Sequence, residues 1–467
     1  MSAPALSKTV IGAVGDANNA APAPISFSQA LLFWLKLGLV SFGGPAGQIA
    51  IMQRELVDRR RWISQGRFNH ALNYCMLLPG PEAQQLATYI GWLMHRTWGG
   101  IVAGGLFVLP SLFILIALSW IYVRFGQVPV IAALFYGIQC AVAAIVVHAL
   151  WRVASRVIKN PVKAPVLCAV AAMSFIAIEF FNTAFPWIVL AAAIVGWIGS
   201  RWVPAQFMLK IGHGTAVQEH PRALIDDDTP TPAHARFSRS YVALVLSVGA
   251  ALWALPMLWL VAALGWSATL TQMGWFFTKA ALLTFGGAYA VLPYVVQGAV
   301  DQYQWLTAPQ MMAGLALGET TPGPLIMIVA FVGFLGGWAK EVLGPDALFL
   351  GAALAATVAT WFTFLPSFVF ILAGGPLVEA THGKLGFTAP LAAITAAVVG
   401  VIASLAWLFI VHIAWPAGAA GGTWRSVDWL ALAIAGAAGV ALFRYKLGVI
   451  PVIAACALAG VAVRLIL

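Results

Sequence analysis

The sequence predicts an all-α polytopic membrane protein, and three observations support this prediction. Hydrophobic residues make up 62% of the 467 residues and charged residues only 9%, which is too little charge to cover the surface of a water-soluble fold of this size. Twenty Trp and 27 Phe suit a protein that places aromatic side chains at two membrane interfaces. The two halves of the chain also match one another, as in transporters built from two related units.

The internal repeat keeps its register over many Gly, Pro and Trp positions. Residues 33–44 match 276–287, 243 positions further on, and the Pro-Gly-Pro of 79–81 matches that of 322–324. Further on the spacing becomes 256, because the second half has a longer connection near residues 338–347. The sequence therefore divides into a disordered amino-terminal tail (1–26), a first repeat (27–203), a polar cytoplasmic linker (204–238), a connecting transmembrane helix (239–263) and a second repeat (268–467).

The tail and the linker are expected to lie outside the membrane. Residues 1–26 are rich in Ala and Pro and lack the basic-then-apolar order of a cleavable signal peptide, so we expect a disordered tail. Residues 204–238 contain three consecutive Asp, several Pro and three His, which indicates a solvated linker. No two of these histidines have metal-binding spacing, and we predict no metal or other cofactor.

Each repeat is predicted to end in four membrane-spanning helices. They cover 98–123, 129–151, 165–182 and 185–201 in the first repeat, and 346–374, 387–413, 428–443 and 449–467 in the second. With the connecting helix 239–263 they make nine full spans. A single span between two units with an even number of spans inserts the second unit upside down, so the arithmetic is that of an inverted repeat.

Ahead of these spans, each repeat has two segments broken by Gly or Pro, at 42–45 and 79–81 in the first repeat. Each arm has about 13–15 residues, roughly 20 Å of helix, which is too short to cross the membrane alone. If the four segments are re-entrant hairpins, the arginines between 54 and 67 stay on the cytoplasmic side, as the positive-inside rule prefers. Broken but continuous crossings would instead give about 13 spans. In both cases the amino terminus is cytoplasmic and the carboxyl terminus periplasmic.

The helix breaks indicate a binding site, because irregular backbone at membrane depth must be buried in protein or line a polar cavity. A helix that restarts after a break directs free N–H groups and its positive dipole end into the gap, which favours an anion. Small residues at the breaks could alternatively serve only tight helix packing. The predicted substrate-binding residues are Lys36, Ser41, Gly43, Gly44, Gly80, Lys279, Thr284, Gly286, Gly287, Thr321 and Gly323.

Four charged residues among or beside these have alternative interpretations. Lys36 and Lys279 lie inside apolar segments at the same repeat position, and each could reach a break or extend to the membrane interface. Glu82 and Glu319 flank breaks and are candidates for carrying a coupling proton, or else they cap a helix or pair with a Lys. The sequence contains no Walker A pattern and no Ser-His-Asp constellation. The residues therefore predict a secondary anion transporter, not an enzyme.

The broken segments resemble the chromate ion transporter family. The matching elements are Phe-Gly-Gly-Pro at 42–45 and Pro-Gly-Pro at 79–81, with 285–287 and 321–324 in the second repeat. The resemblance implies a long-chain, two-domain protein of the bacterial inner membrane that exports chromate, driven by the proton-motive force, and gives chromate resistance. It also implies sulfate as a competing anion. Ala288 stands where the first repeat has Pro45, so the two halves of the site need not be equivalent.

Two other functions stay open from the sequence. The first is an uptake carrier for sulfate or another oxyanion, since no residue defines the direction of transport. The second, less favoured, is a membrane-embedded lipid-phosphate hydrolase, which would need Arg, Ser and His near the breaks. The expected partners are a small oxyanion and the lipid bilayer, and a homodimer is left open. Nucleic acid is not expected, because the net charge of +10 falls in loops that orient a membrane protein.

Overall fold

The structure, a computed structural model, describes residues 22–158, 164–203, 222–230, 232–381, 388–416 and 426–466. These residues are predominantly helical. Within them, six helices are long and apolar enough to cross a membrane: Glu82–Phe125, Pro129–Val157, Phe185–Trp202, Arg239–Leu264, Pro345–Glu379 and Ala389–Ala414. The prediction of an all-α polytopic membrane protein is confirmed at this level.

Each predicted span overlaps one helix of the structure. The helices of the first repeat are α1 (Phe27–Val40), α2 (Gly44–Gln53), α3 (Gln65–Leu77), α4 (Glu82–Phe125), α5 (Pro129–Val157), α6 (Pro165–Phe181) and α7 (Phe185–Trp202). The connecting helix is α8 (Arg239–Leu264). The second repeat contains α9 (Thr269–Leu283), α10 (Ala288–Val296), α11 (Ala308–Thr320), α12 (Ile328–Ala339), α13 (Leu348–Thr381), α14 (Thr388–Ala414), α15 (Trp429–Phe443) and α16 (Val449–Ile466).

Helix α4 consists of two antiparallel parts. His95 and Arg96 depart from helical dihedral angles, and Arg96 has a φ of +56°. A Cβ placed on Gly91, before this turn, would lie 2.4 Å from the carbonyl oxygen of Gly99, after it. The arm 82–94 therefore runs back along the rest of α4, held close by glycines that let the two backbones touch.

The second repeat makes the same reversal between two separate helices. A Cβ on Gly333 of α12 would lie 2.7 Å from the carbonyl oxygen of Ala355 in α13, and one on Gly337 would lie 3.1 Å from that of Gly351. As the residue number rises along α12, the number of the contacted residue in α13 falls, which is the contact pattern of antiparallel helices. Helix α12 thus corresponds to the arm 82–94 of the first repeat. The connection between α12 and α13 is longer than the turn at His95 and Arg96.

The two repeats pack against one another through the last two helices of each, which contact a long helix of the other repeat. Helix α5 packs against α15 and α16, and its counterpart α14 packs against α6 and α7. These contacts are close: a Cβ on Gly137 of α5 would lie 1.9 Å from the carbonyl oxygen of Cys456 in α16. In the other repeat, a Cβ on Gly196 of α7 would lie 2.7 Å from the carbonyl oxygen of Ala389 in α14.

The described part of the linker, 222–230 and 232–238, is anchored to the first repeat. The Ile225 N–H donates to the carbonyl of Trp62 at 3.1 Å, and the Ser64 N–H donates to the carbonyl of Ile225 at 2.9 Å. The sequence predicts a solvated linker from its many polar residues, and its described part is held by backbone hydrogen bonds, by polar contacts such as that of Ser64 Oγ with Asp227, and by buried apolar side chains. Ile225 and Ala235 are buried, 7% and 0% exposed. The side of the molecule that carries this segment is called the linker side below.

Candidate functional site

The helix breaks of the two repeats are bonded to one another inside the protein. The Gly80 N–H donates to the carbonyl of Thr284 at 2.8 Å, and the Gly323 N–H donates to the carbonyl of Ser41 at 2.9 Å. Gly80 and Gly323 occupy the same repeat position, as do Ser41 and Thr284. The second break of each repeat thus contacts the first break of the other, and four predicted site residues lie together.

Glycine is required by the backbone at these breaks. The predicted glycines with positive φ angles are Gly43 (+89°), Gly44 (+68°), Gly80 (+128°), Gly286 (+78°), Gly287 (+98°) and Gly323 (+98°). Two of them also touch serines: a Cβ on Gly80 would lie 2.4 Å from the Ser367 Oγ, and one on Gly323 would lie 2.7 Å from the Ser111 Cβ. Ser111 and Ser367 are themselves equivalent repeat positions, and sequence reasoning did not select either of them.

Several buried polar atoms near the breaks lack a hydrogen-bond partner among the described residues. They are Ser41 Oγ, Gln48 Oε1, Gln84 Oε1, Gln85 Oε1, Ser111 Oγ and Ser367 Oγ. Each of these side chains is at most 1% exposed. A buried polar group without a partner costs about 1–3 kcal/mol, so several such groups beside the breaks favour a polar ligand there. The serine hydroxyls can donate hydrogen bonds to an oxyanion.

Two glutamine amides donate hydrogen bonds to carbonyls of the breaks. The Gln48 Nε2 donates to the carbonyl of Gly323 and, at 3.4 Å, to that of Ser41. The Gln85 Nε2 donates to the carbonyl of Pro79 at 2.8 Å. The Gln48 amide therefore joins the two repeats at the breaks, and the Gln85 amide stays within one break.

The two predicted threonine hydroxyls donate within their own helix ends. The Thr284 Oγ1 donates to the carbonyl of Ala280 at 2.6 Å, and the Thr321 Oγ1 donates to that of Gly318 at 3.4 Å. Both threonines are buried, 0% and 5% exposed. Their oxygens can still accept a hydrogen bond, but the serines at the breaks are the freer donors.

Lys36 is exposed and Lys279 is half-buried. Lys36 lies on α1, between the buried Trp34 and Leu37. The Lys279 Nζ lies 5.8 Å from the ring centroid of Trp275, a residue that is itself 37% exposed. This is the placement of lysines that extend along apolar surface toward the membrane interface, the second of the two interpretations that the sequence allows.

Both predicted proton carriers border the same break, at the start of α10. A Cβ on Gly287 would lie 3.9 Å from the Glu82 Oε1. Glu319 is 3% exposed and accepts a hydrogen bond from the Tyr289 hydroxyl. Alignment of the repeats does not make Glu82 and Glu319 equivalent, and the fold nevertheless brings one from each repeat to this place.

Two arginines of α5 that sequence reasoning missed complete this group. The Arg152 Cζ lies 5.7 Å from the ring centroid of Tyr289, and its charge interacts with Glu319. Arg156, one turn further along α5, makes no direct ion pair with Glu82 but lies near enough for its charge to act on that carboxyl. Both arginines follow the predicted span 129–151, and the helix continues to Val157. Their spacing of four residues puts them on one helix face, which is the signal that could have found them.

A second charged group connects the first repeat, α13 and the linker. The Arg67 Nη1 lies 2.5 Å from the Glu379 Oε2, with side-chain exposures of 10% and 2%. The other oxygen of Glu379 accepts from the Tyr89 hydroxyl, and the Arg67 Nη2 donates to the carbonyl of Thr229 at 2.7 Å. Arg67 is therefore more than a topology-determining charge, because it binds the second repeat and the linker together.

Comparison with known proteins agrees with this architecture. A family model described as chromate transporter matches residues 28–197 and 271–461. A chromate transport protein of Pseudomonas aeruginosa is 34% identical over 387 residues, covering 82% of this chain and 81% of that protein. One of Cupriavidus metallidurans is 30% identical over 375 residues, 80% of each chain. A probable chromate transport protein of Synechococcus elongatus is 27% identical over 362 residues, 77% of this chain and 78% of the relative. No solved structure matches the chain.

Proposed function

This chain belongs to the chromate transporter family, and we propose that it is a secondary transporter that carries chromate out of the cytoplasm across the bacterial inner membrane. Export driven by the proton-motive force would give the cell resistance to chromate. The observation that carries the proposal is the meeting of helix breaks from both repeats, joined by the Gly80–Thr284 and Gly323–Ser41 hydrogen bonds, with unpartnered buried hydroxyls beside them. Such a place suits a small oxyanion.

The dianion is held at the breaks by backbone and hydroxyl groups. Restarting helices α2, α4 and α10 supply N–H groups and the positive ends of their dipoles. Ser41, Ser111 and Ser367 supply hydroxyl donors. The predicted glycines let the backbone approach the anion, and Thr284 and Thr321 flank it. Rocking of one repeat against the other exposes the anion to either side.

The topology that goes with this mechanism has nine full spans and four re-entrant segments in two inverted repeats. Contacts on the linker side support it: the His95 Nε2 lies 2.9 Å from the carbonyl of Ile25, and the His234 Nε2 lies 3.0 Å from that of Trp92. The outer ends of both hairpins of the first repeat, with Arg67, thus meet the linker. The positive-inside rule places this side in the cytoplasm with the amino terminus, and the carboxyl terminus in the periplasm.

Sulfate is the natural competitor, because it and chromate are both tetrahedral dianions. Hydrogen-bond geometry alone separates two such anions poorly. An uptake carrier for sulfate would use the same breaks in the opposite direction, so the direction of transport is the first property to measure.

The test is chromate accumulation in inside-out membrane vesicles that contain the protein, with and without an uncoupler and with sulfate as competitor. Accumulation that the uncoupler abolishes is expected for energised export. Vesicles without the protein, and vesicles with the Gly80→Ala variant, serve as controls. Uptake by right-side-out vesicles only, and none by inside-out vesicles, would contradict export and favour an importer.

A further inference from the structure

The arginines of α5 lie between the linker side and the helix breaks. The rings of Tyr122 and Phe135 lie 4.7 Å apart across the short turn after α4, so α5 runs back along α4 toward the side where the arm 82–94 of α4 ends. Arg152 and Arg156 occupy the last two turns of α5, which ends at Val157. An anion that moves from the linker side to the breaks would pass them.

Their exposure fits a site that solvent reaches from one side. Arg156 is exposed and Arg152 half-buried, whereas Glu319, which interacts with Arg152, is 3% exposed and Glu82, which interacts with Arg156, is half-buried. The Tyr289 ring lies under the Arg152 guanidinium, 5.7 Å from its Cζ, and the Tyr289 hydroxyl is bonded to Glu319. Around Tyr289, the Arg152 cation thus lies toward solvent and the buried Glu319 carboxylate lies toward the break.

We propose that Arg152 and Arg156 form an outer binding site for a tetrahedral dianion, in which the anion competes with Glu319 and Glu82 for the two guanidinium groups. The inference rests on the proposed function and identifies where its substrate is first bound. Guanidinium groups suit such an anion, since their N–H donors bind oxyanions in pairs. In the described part of the chain, the nearest neighbours of the break glycines are hydroxyl, amide, carboxylate and backbone groups and include no cation.

If the anion and the carboxylate compete, a change at Glu319 should alter anion binding in the opposite direction from a change at an arginine. If the arginines bind the substrate, removing an arginine weakens binding, whereas neutralising Glu319 strengthens it by freeing Arg152. If Arg152 and Glu319 only stabilise the fold, both changes act in the same direction, because each removes a charge that offsets the other. The two readings therefore predict opposite signs for one variant.

The experiment measures binding of chromate and of sulfate to the purified full-length protein in detergent, by quenching of tryptophan fluorescence and by the shift in thermal unfolding temperature. Arg152→Gln and Arg156→Gln are expected to raise the dissociation constant about tenfold each, as for loss of a charge-assisted hydrogen bond. Glu319→Gln is expected to lower it. Arg124→Gln is the matched control, because Arg124 is exposed at the carboxyl-terminal end of α4. This variant is expected to leave both dissociation constants unchanged.

The outcomes separate this inference from the proposed function. Wild-type protein that transports no chromate, but binds either anion in a way that needs Arg152, would overturn chromate transport and support the outer site. Transport with unchanged binding in both arginine variants would overturn the outer site alone, and so would weaker binding in Glu319→Gln. If Arg152→Gln fails to fold, Arg152→Lys and Glu319→Gln decide the question, since the first keeps the charge and the second keeps the arginine.

Discussion

At the scale of single residues, the glycines of the breaks combine two properties that a larger residue cannot have. Gly80 and Gly323 have φ angles of +128° and +98°, which L side chains rarely adopt. Both also touch a serine of the other repeat, Ser367 and Ser111. Substitution at either position strains the backbone and separates the repeats at the point where they are hydrogen-bonded.

Gly80→Ala and Gly323→Ala should therefore each destabilise the protein by about 1–3 kcal/mol and abolish most transport. Thermal unfolding in detergent and vesicle transport measure the two effects. Gly105→Ala is the control, because a Cβ there meets nothing within 4 Å. Wild-type transport and an unchanged unfolding temperature in Gly80→Ala would contradict the assigned role of the break.

The two lysines should contribute little to substrate binding. Lys36 is exposed and Lys279 stacks on Trp275, so the double change to Ala is expected to alter the half-saturating chromate concentration less than about twofold, as for charges screened by solvent. Vesicle transport kinetics measure this. Loss of transport in the double variant, with normal amounts of protein in the membrane, would return the lysines to the site.

At the scale of elements, the buried ion pair between α3 and α13 stabilises the contact between a hairpin and the other repeat. Arg67 and Glu379 lie 2.5 Å apart and are almost inaccessible, whereas Arg59 and Glu55 form an exposed pair at 2.7 Å within one helical turn. The two pairs have similar geometry and differ in burial, which decides how much each contributes.

Glu379→Gln should lower the free energy of unfolding by about 3–5 kcal/mol, because it leaves Arg67 buried without its counter-charge. Glu55→Gln should lower it by about 1 kcal/mol or less. Denaturant unfolding in detergent compares the two variants. Equal effects would show that burial does not set the strength of the Arg67–Glu379 pair.

Docking of the linker should depend on pH through His234. Burial and the nearby charge of Arg96 lower the pKa of His234 below its ordinary value. The docked state therefore prefers the neutral ring, so docking is full above about pH 6.5, the ordinary pKa, and weakens as the pH falls from there through the lowered pKa.

Hydrogen exchange of the backbone amides in 222–230 and 232–238 measures this weakening. Exchange, corrected for its intrinsic pH dependence, is expected to be faster at pH 5.5 than at pH 7.5. His234→Asn, which does not titrate, should remove the difference. A pH effect of the same size in that variant would assign the change to another group.

At the scale of the whole molecule, the exchanged packing of α5 and α14 joins the two repeats into one unit. Neither repeat encloses its own long helix, since α5 lies against α15 and α16 and α14 lies against α6 and α7. Movement that exposes the breaks to one side and then the other must therefore slide these close helix contacts, and their small residues permit such sliding.

The proposed hairpin topology predicts the side from which single cysteines are labelled, once the native Cys75, Cys140, Cys168 and Cys456 are replaced. Cysteines at Arg60 and Asp228 should react with an impermeant reagent from the cytoplasm. A cysteine at Gln302, in the matching hairpin of the second repeat, should react from the periplasm. Labelling of Arg60→Cys and Gln302→Cys from the same side would contradict the inverted hairpins.

Much of this architecture could be predicted from the sequence, because Gly and Pro mark the breaks and apolar runs mark the spans. The turn at His95 and Arg96 falls just before the predicted span 98–123. The pairing of Gly80 with Thr284 is invisible in a sequence, since a backbone hydrogen bond leaves no side-chain pattern. Arg152 and Arg156 were missed because they follow the apolar run, and the outward direction of Lys36 depends on which face of α1 is covered.

The reciprocal hydrogen bonds between the breaks have a consequence for chains of other lengths. Each repeat donates one N–H to the other and accepts one from it, so a single repeat holds half of two bonds and completes neither. On the proposed inverted topology, a chain that carried only one such repeat would need a second chain, inserted in the membrane with the opposite orientation, to enclose the same place. Duplication within one gene product removes that need, because the partner of opposite orientation is synthesised on the same polypeptide.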